Sequence, residues 1–166
     1  MLDLAAHGRD TMGWVYGFKL HLVINAAGEI IQAMLTPANT NDWASLAREA
    51  FTRKLFGRLV GDKGYISQAL SEQLLAKGIR LVTRIKRNMK NRVMEVQNKL
   101  LLRQRAAVET VIGMLKRVCQ IEHTWCRSFP GFVANLCSGL IAYSFLTNKP
   151  KIHLANGSTA IYQTVL

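Results

Sequence analysis

Acidic residues are scarce in this chain: 10 Asp and Glu stand against 22 Lys and Arg, giving a formal charge of +12 and a pI near 10.1. An excess of that size points to a polyanionic partner, though charge alone does not separate nucleic acid from an acidic membrane surface. Cysteine is sparse as well. Cys119, Cys126 and Cys137 have no CxxC spacing and no histidine at a fixed offset, which excludes a disulfide framework or a structural zinc site and leaves reduced, buried thiols in a cytosolic protein as the expectation. Long hydrophobic runs are missing. The longest, Phe132 to Leu146, is broken by Asn135, Ser138 and Ser144; it falls short of the ~20 residues a membrane span needs and reads as a core helix. The opening MLDLAAHGRD lacks a basic segment followed by an apolar one, so no secretory signal is evident. There are no repeats and no low-complexity tracts.

What is present describes one globular domain. At 166 residues, 49% hydrophobic and 19% charged, the chain is long and apolar enough to bury a core. WVYGFKLHLVIN, residues 14–25, sets Phe18, Leu20 and Leu22 against Lys19, His21 and Val23, a strand alternation that would leave His21 facing solvent or DNA. Asn25-Ala26-Ala27-Gly28 supplies turn chemistry and EIIQAMLTP a second strand, together a β-hairpin. Asn39-Thr40-Asn41-Asp42 then precedes WASLAREAFTRKLF at helical spacing, which makes Asp42 an N-cap or first-turn acid. RLVGD, 58–62, reads as a short strand, 66–77 as a helix closed by Gly78, and IRLVTRI as another strand. A basic link, KRNMKNR, leads to a long helix from about Val93 to Val118, and Pro130-Gly131 separates that from the helix over 132–146. The last residues, 151–166, show no convincing pattern, and residues 1–12 read as a stub ahead of a main unit over 13–150. Trp14, Trp43 and Trp125 are expected to pack. The order hairpin, helix, strand, helix, strand, long helix is an α/β layout, and in such sheets ligands gather at the carboxyl ends of strands.

Asp62 stands at such an end, in LVGDKGYISQAL. The plainer reading makes it a turn or capping residue; the sharper one makes it a metal ligand. A second carboxylate bears on the choice. In RQRAAVETVIGMLKR, residues 103–117, Arg105, Glu109 and Lys116 follow R-x3-E-x6-K, and at about 100° per residue Glu109 and Lys116 fall about 40° and 20° round from Arg105, on one face. An exposed i, i+4 ion pair is the ordinary account of Arg105 and Glu109. It does not account for the setting: from Arg84 to Arg127 there are 11 Lys or Arg and three acids, Glu95, Glu109 and Glu122, a net +8. A carboxylate within a basic surface makes sense where the surface follows a phosphate backbone and the carboxylate holds Mg²⁺, which takes one or two carboxylates plus substrate phosphate.

GFKLHLVIN, TPANTND, GDKGYI, LVTRIKRNMKN and R-x3-E-x6-K, in this order and spacing from about Gly13 to Pro150, resemble the DDE transposases of bacterial insertion sequences. The resemblance implies an RNase H-like mixed sheet flanked by helices, in which two aspartates and a glutamate bind two Mg²⁺ ions. Asp62 matches the second aspartate and Glu109 the glutamate, with Arg105 and Lys116 as DNA-phosphate or active-site helpers. Lys63, Arg84, Lys86, Arg87 and Lys90 are the expected phosphate contacts, which position DNA without reading its sequence. Leu102 stands where related families place a tyrosine three residues before the arginine. The first aspartate belongs on a strand upstream of the hairpin, where this chain offers only Asp3 and Asp10. The resemblance therefore implies a carboxyl-terminal portion that lacks its first strand, leaves an unpaired edge near Trp14–Asn25, and is inactive alone. It further implies double-stranded DNA as partner, no membrane, a place among homo-oligomeric assemblies, and a cytoplasmic, nucleoid-associated location in a bacterium. Two rivals are a non-catalytic DNA-binding remnant and a basic RNase H-like nuclease.

Overall fold

The computed structural model describes residues 5–9, 13–65, 67–83, 105–122, 125–151 and 158–165. Strand β1 (Ala6–Arg9) pairs antiparallel with β2 (Trp14–Ile24), which turns into β3 (Ile30–Pro37). The hairpin turn is fixed by Asn25, whose Oδ1 accepts the Ala27 and Glu29 amides, and by Gly28 at φ 74°. Two single-turn helices follow, α1 (Ala44–Ala47) and α2 (Glu49–Thr52), split at Arg48, whose ψ of 121° is extended. Then come β4 (Gly57–Gly61), a 3-10 turn over Lys63–Tyr65, α3 (Gln68–Ala76) and β5 (Ile79–Thr83). Ser67 caps α3 by accepting the Leu70 amide. Beyond them lie α4 (Arg105–Arg117), α5 (Phe129–Phe145) and β6 (Ser158–Val165).

The strands form one six-stranded mixed sheet in the order β1-β2-β6-β4-β5, with β3 also on β2. Strands β4 and β5 are parallel; β6 runs parallel to β4 and antiparallel to β2. Each face is covered. Leu20, Leu22 and Ile24 of β2 join Val60 and Val82 beneath Val108, Val111, Ile112 and Leu115 of α4 and Leu136 and Tyr143 of α5. On the opposite face Val23, Leu59 and Ile79 pack with Leu46, Phe51, Leu70 and Leu74 from the three shorter helices. Tyr143 fastens α5 to the hairpin: its hydroxyl donates to the Gly28 carbonyl at 2.7 Å, and burial pushes its pKa up to about 12.

Several local expectations change. Residues 19–24 of β2 are paired along both edges, by β3 and by β6, so the expected open edge is closed there. Residues 151–166, patternless in sequence, contain a strand in the middle of the sheet. The single helix expected from Trp43 is two short ones. The tryptophans do not pack: Trp14 is 75% and Trp125 97% exposed, and Trp43 is exposed too. The cysteines are free as expected but not buried; Cys119 and Cys126 are half-buried and Cys137 exposed. The run at 132–146 buries one stripe, Phe132, Leu136, Gly139 and Tyr143, and leaves Ile141 and Phe145 in solvent. The helical turns expected over 93–104 lie outside the described residues. No described helix is long and apolar enough to cross a membrane.

Candidate active site

Strand β4 carries Val60 beneath α4 and Leu59 on the opposite face. Asp62 follows two residues past Val60, half-buried, as the chain leaves the sheet. Its carbonyl accepts the Tyr65 amide at 3.1 Å, closing the turn.

Two polar groups on β2 stand behind that turn. Lys19 and His21 alternate with Leu20 and Leu22, so both project to the face covered by the shorter helices, and both are buried, His21 completely. The solvent-facing His21 expected from the alternation is thus corrected. Residues 17–24 are buried on both faces because helices cover both, and a two-residue period does not show whether its polar side meets water or a second layer. The Lys19 ammonium donates to the Thr40 carbonyl and to Asp42 Oδ1, each at 2.9 Å. One ring nitrogen of His21 lies 2.9 Å from Thr36 Oγ1 and the other 3.4 Å from the Tyr65 hydroxyl. Burial lowers its pKa to about 4, with Lys19 and Arg48 adding to the fall and Asp42 opposing it. The ring is neutral at physiological pH, and a neutral imidazole suits two hydroxyl partners, donating to one and accepting from the other. Tyr65 is buried against Leu70 and Leu74, so it packs.

Asp42 is not a cap. Trp43 occupies the N-cap of α1 without a side-chain hydrogen bond, and the Asp42 carboxylate turns back to Lys19. Neither Lys19 nor Asp42 was a candidate from the local pattern. The signal available was a lysine and a histidine inside an otherwise apolar strand, which need buried partners if both faces are covered.

Glu109 arrives by a different route. Helix α4 buries Val108, Val111, Ile112 and Leu115 and exposes Glu109. Arg105 opens the same helix. The Lys116 ammonium pairs with Glu122, which lies beyond the helix end. Lys63 begins the 3-10 turn beside Asp62. Arg84, Lys86, Arg87 and Lys90 lie outside the described residues.

A mixed sheet covered by helices on both faces fits an RNase H-like domain. The chain matches the transposase DDE domain over residues 1–129 and belongs to that family. No curated protein and no solved structure is significantly similar to it. Membership brings, at the level of the family, DNA binding and the cleavage and transfer of DNA in transposition with divalent metal.

The described residues do not supply a full ligand cluster for the divalent metal that the family uses. Among them no group of three or more His, Cys, Asp or Glu is placed to hold an ion. Strand β6, the neighbour of β4, reads STAIYQTV and carries no carboxylate.

Proposed function

We propose that this chain is a DDE transposase catalytic-domain portion that engages double-stranded DNA and does not complete phosphoryl transfer by itself. In the reaction to which the family is committed, DNA is cut at the element ends and the freed 3′-hydroxyl attacks target DNA, with positioning and charge neutralisation supplying most of the catalysis. Asp62 and Glu109 are the two carboxylates this chain brings to it. The observation that carries the reading is the family match over residues 1–129; it is supported by the position of Asp62 just past the end of β4, a strand whose Val60 packs against the helix that bears Glu109. Arg105 and Lys63 stand near these two carboxylates in sequence, and with Lys116, Arg84, Lys86, Arg87 and Lys90 they are the proposed cations for DNA phosphates. The absence of an acid from β6 supports incompleteness.

The test combines binding with chemistry. The purified chain should bind duplex DNA with an affinity that falls steeply with salt, since each phosphate neutralised adds about 0.9 to the slope of log affinity against log salt. It should join no donor end to target in Mg²⁺. Joining that is lost in Asp62→Asn would overturn the incompleteness, and binding indifferent to salt would overturn the DNA reading. Binding without chemistry also fits the non-catalytic remnant. The two part if an added segment bearing an aspartate on a strand restores joining, which only the incomplete transposase allows.

A further inference from the structure

The motifs that carry the family resemblance meet behind the Asp62 turn, and their contacts give one acid outside the metal set a task. We infer that Asp42 is a positioning residue for Asp62, acting through Gly64; this rests on the reading of Asp62 as the site carboxylate.

Asp42 lies between β3 and α1, at the end of TPANTND. One of its oxygens takes the Lys19 ammonium at 2.9 Å. The other lies directly over Gly64: a methyl group there would overlap Asp42 Oδ2 and stand 3.1 Å from its Cγ and 3.3 Å from its Cβ. Gly64 is not among the positive-φ glycines, so what it supplies is room for the carboxylate. Asp42 is short and Lys19 holds it, so it has little freedom to yield. The pair is inside the protein, with side chains 11% and 23% exposed, where removing one partner strands the other charge.

The same turn is gripped a second time. His21, two residues along β2 from Lys19, reaches the Tyr65 hydroxyl while tied to Thr36. Lys19–Asp42–Gly64 and Thr36–His21–Tyr65 therefore fix successive residues of the segment that begins at Asp62, both from one rigid central strand. A carboxylate leaving the end of a strand has backbone torsions free to swing it. Here the two residues that would absorb that swing are pinned, and Asp42 pins the nearer. Contacts of this kind, one layer behind a site, orient the groups in front of them.

The experiment reads the turn without depending on metal or turnover. Amide exchange at Tyr65, whose N–H bonds the Asp62 carbonyl, is compared with that of Leu22 in the core, and the Asp62 side-chain carboxyl resonance is followed alongside that of Glu109. Asp42→Ala and Gly64→Ala should each speed Tyr65 exchange by about tenfold relative to Leu22 and move the Asp62 resonance but not that of Glu109. Asp42→Asn keeps the shape and an acceptor for Lys19 and should do much less. The double variant should be no worse than Asp42→Ala alone, because the two substitutions disturb one contact. Additive effects, or an Asp62 resonance unmoved in Asp42→Ala, overturn the inference. If Asp62→Asn leaves joining intact in the chain whose activity an added aspartate-bearing segment has restored, the function proposed above falls while these results still decide whether Asp42 sets the turn.

Discussion

The two candidate carboxylates are delivered by contrasting parts of the molecule. Asp62 leaves the sheet on a turn held from behind by the buried Lys19, His21 and Thr36 and the half-buried Asp42, each with a named partner. Glu109 rides on the exposed side of α4, whose opposite side, Val108, Val111, Ile112 and Leu115, sinks into an apolar cluster with Leu22 and Val60. Polar wiring specifies direction, since hydrogen bonds and ion pairs fail when misaligned. Apolar packing supplies more free energy and less direction. The difference teaches that the aspartate side of the site answers to pH and to charge substitutions, whereas the helix side answers to the loss of volume.

The largest expected effect breaks the helix side. Leu115 is fully buried, and Leu115→Ala should cost about 2–5 kcal/mol through lost burial and the cavity left behind; urea or thermal unfolding measures it. Next comes the pH response of the polar side. His21 is neutral when folded, with a pKa lowered from 6.5 to about 4, so the unfolded chain takes up the proton first. Stability from this group is complete above pH 6.5 and falls as pH drops toward 4, by roughly 3 kcal/mol at most. An unfolding series in pH should show that segment, and His21→Gln should lack it while being less stable at neutral pH; a profile identical in both would mean another group titrates there. The smallest effect sharpens the contrast by leaving both sides intact. Lys116 and Glu122 pair at the surface, each side chain about a third exposed, so Lys116→Met should change stability by no more than about 1 kcal/mol, and less at high salt.

How much of this could be read beforehand depends on where each residue's partners lie. The place of Asp62 at a strand end was legible because its setting is local: an apolar Leu59-Val60-Gly61 run that ends in an acid, then a turn. The exposed place of Glu109 on its helix was legible because helical spacing sorts Val108, Ile112 and Leu115 from it within a few turns. The burial of His21 was not, because the helices that cover its side of β2 begin 20 residues and more downstream. Asp42 misled for a related reason. Beside a helix start an acid looks like a cap, yet its Lys19 partner sits 23 positions earlier, and an ion pair at that separation leaves no local trace. Strand β6 escaped because Ser158–Val165 borrows its order from β2 and β4; strand formation depends on the neighbours a segment finds as much as on its own residues.

The place of β6 also bears on how the protein comes into being. A ribosome emits β2, β3, β4 and β5 well before β6, yet β6 is the strand that sits between β2 and β4 and pairs Leu22 with Tyr162. Until it arrives the nascent sheet stays parted into a hairpin half and a parallel half, each with a bare strand edge of the kind that invites pairing between chains. Closing the sheet joins segments far apart in the sequence, a slow class of step, so the chain is most exposed to misassembly in the interval before β6 emerges.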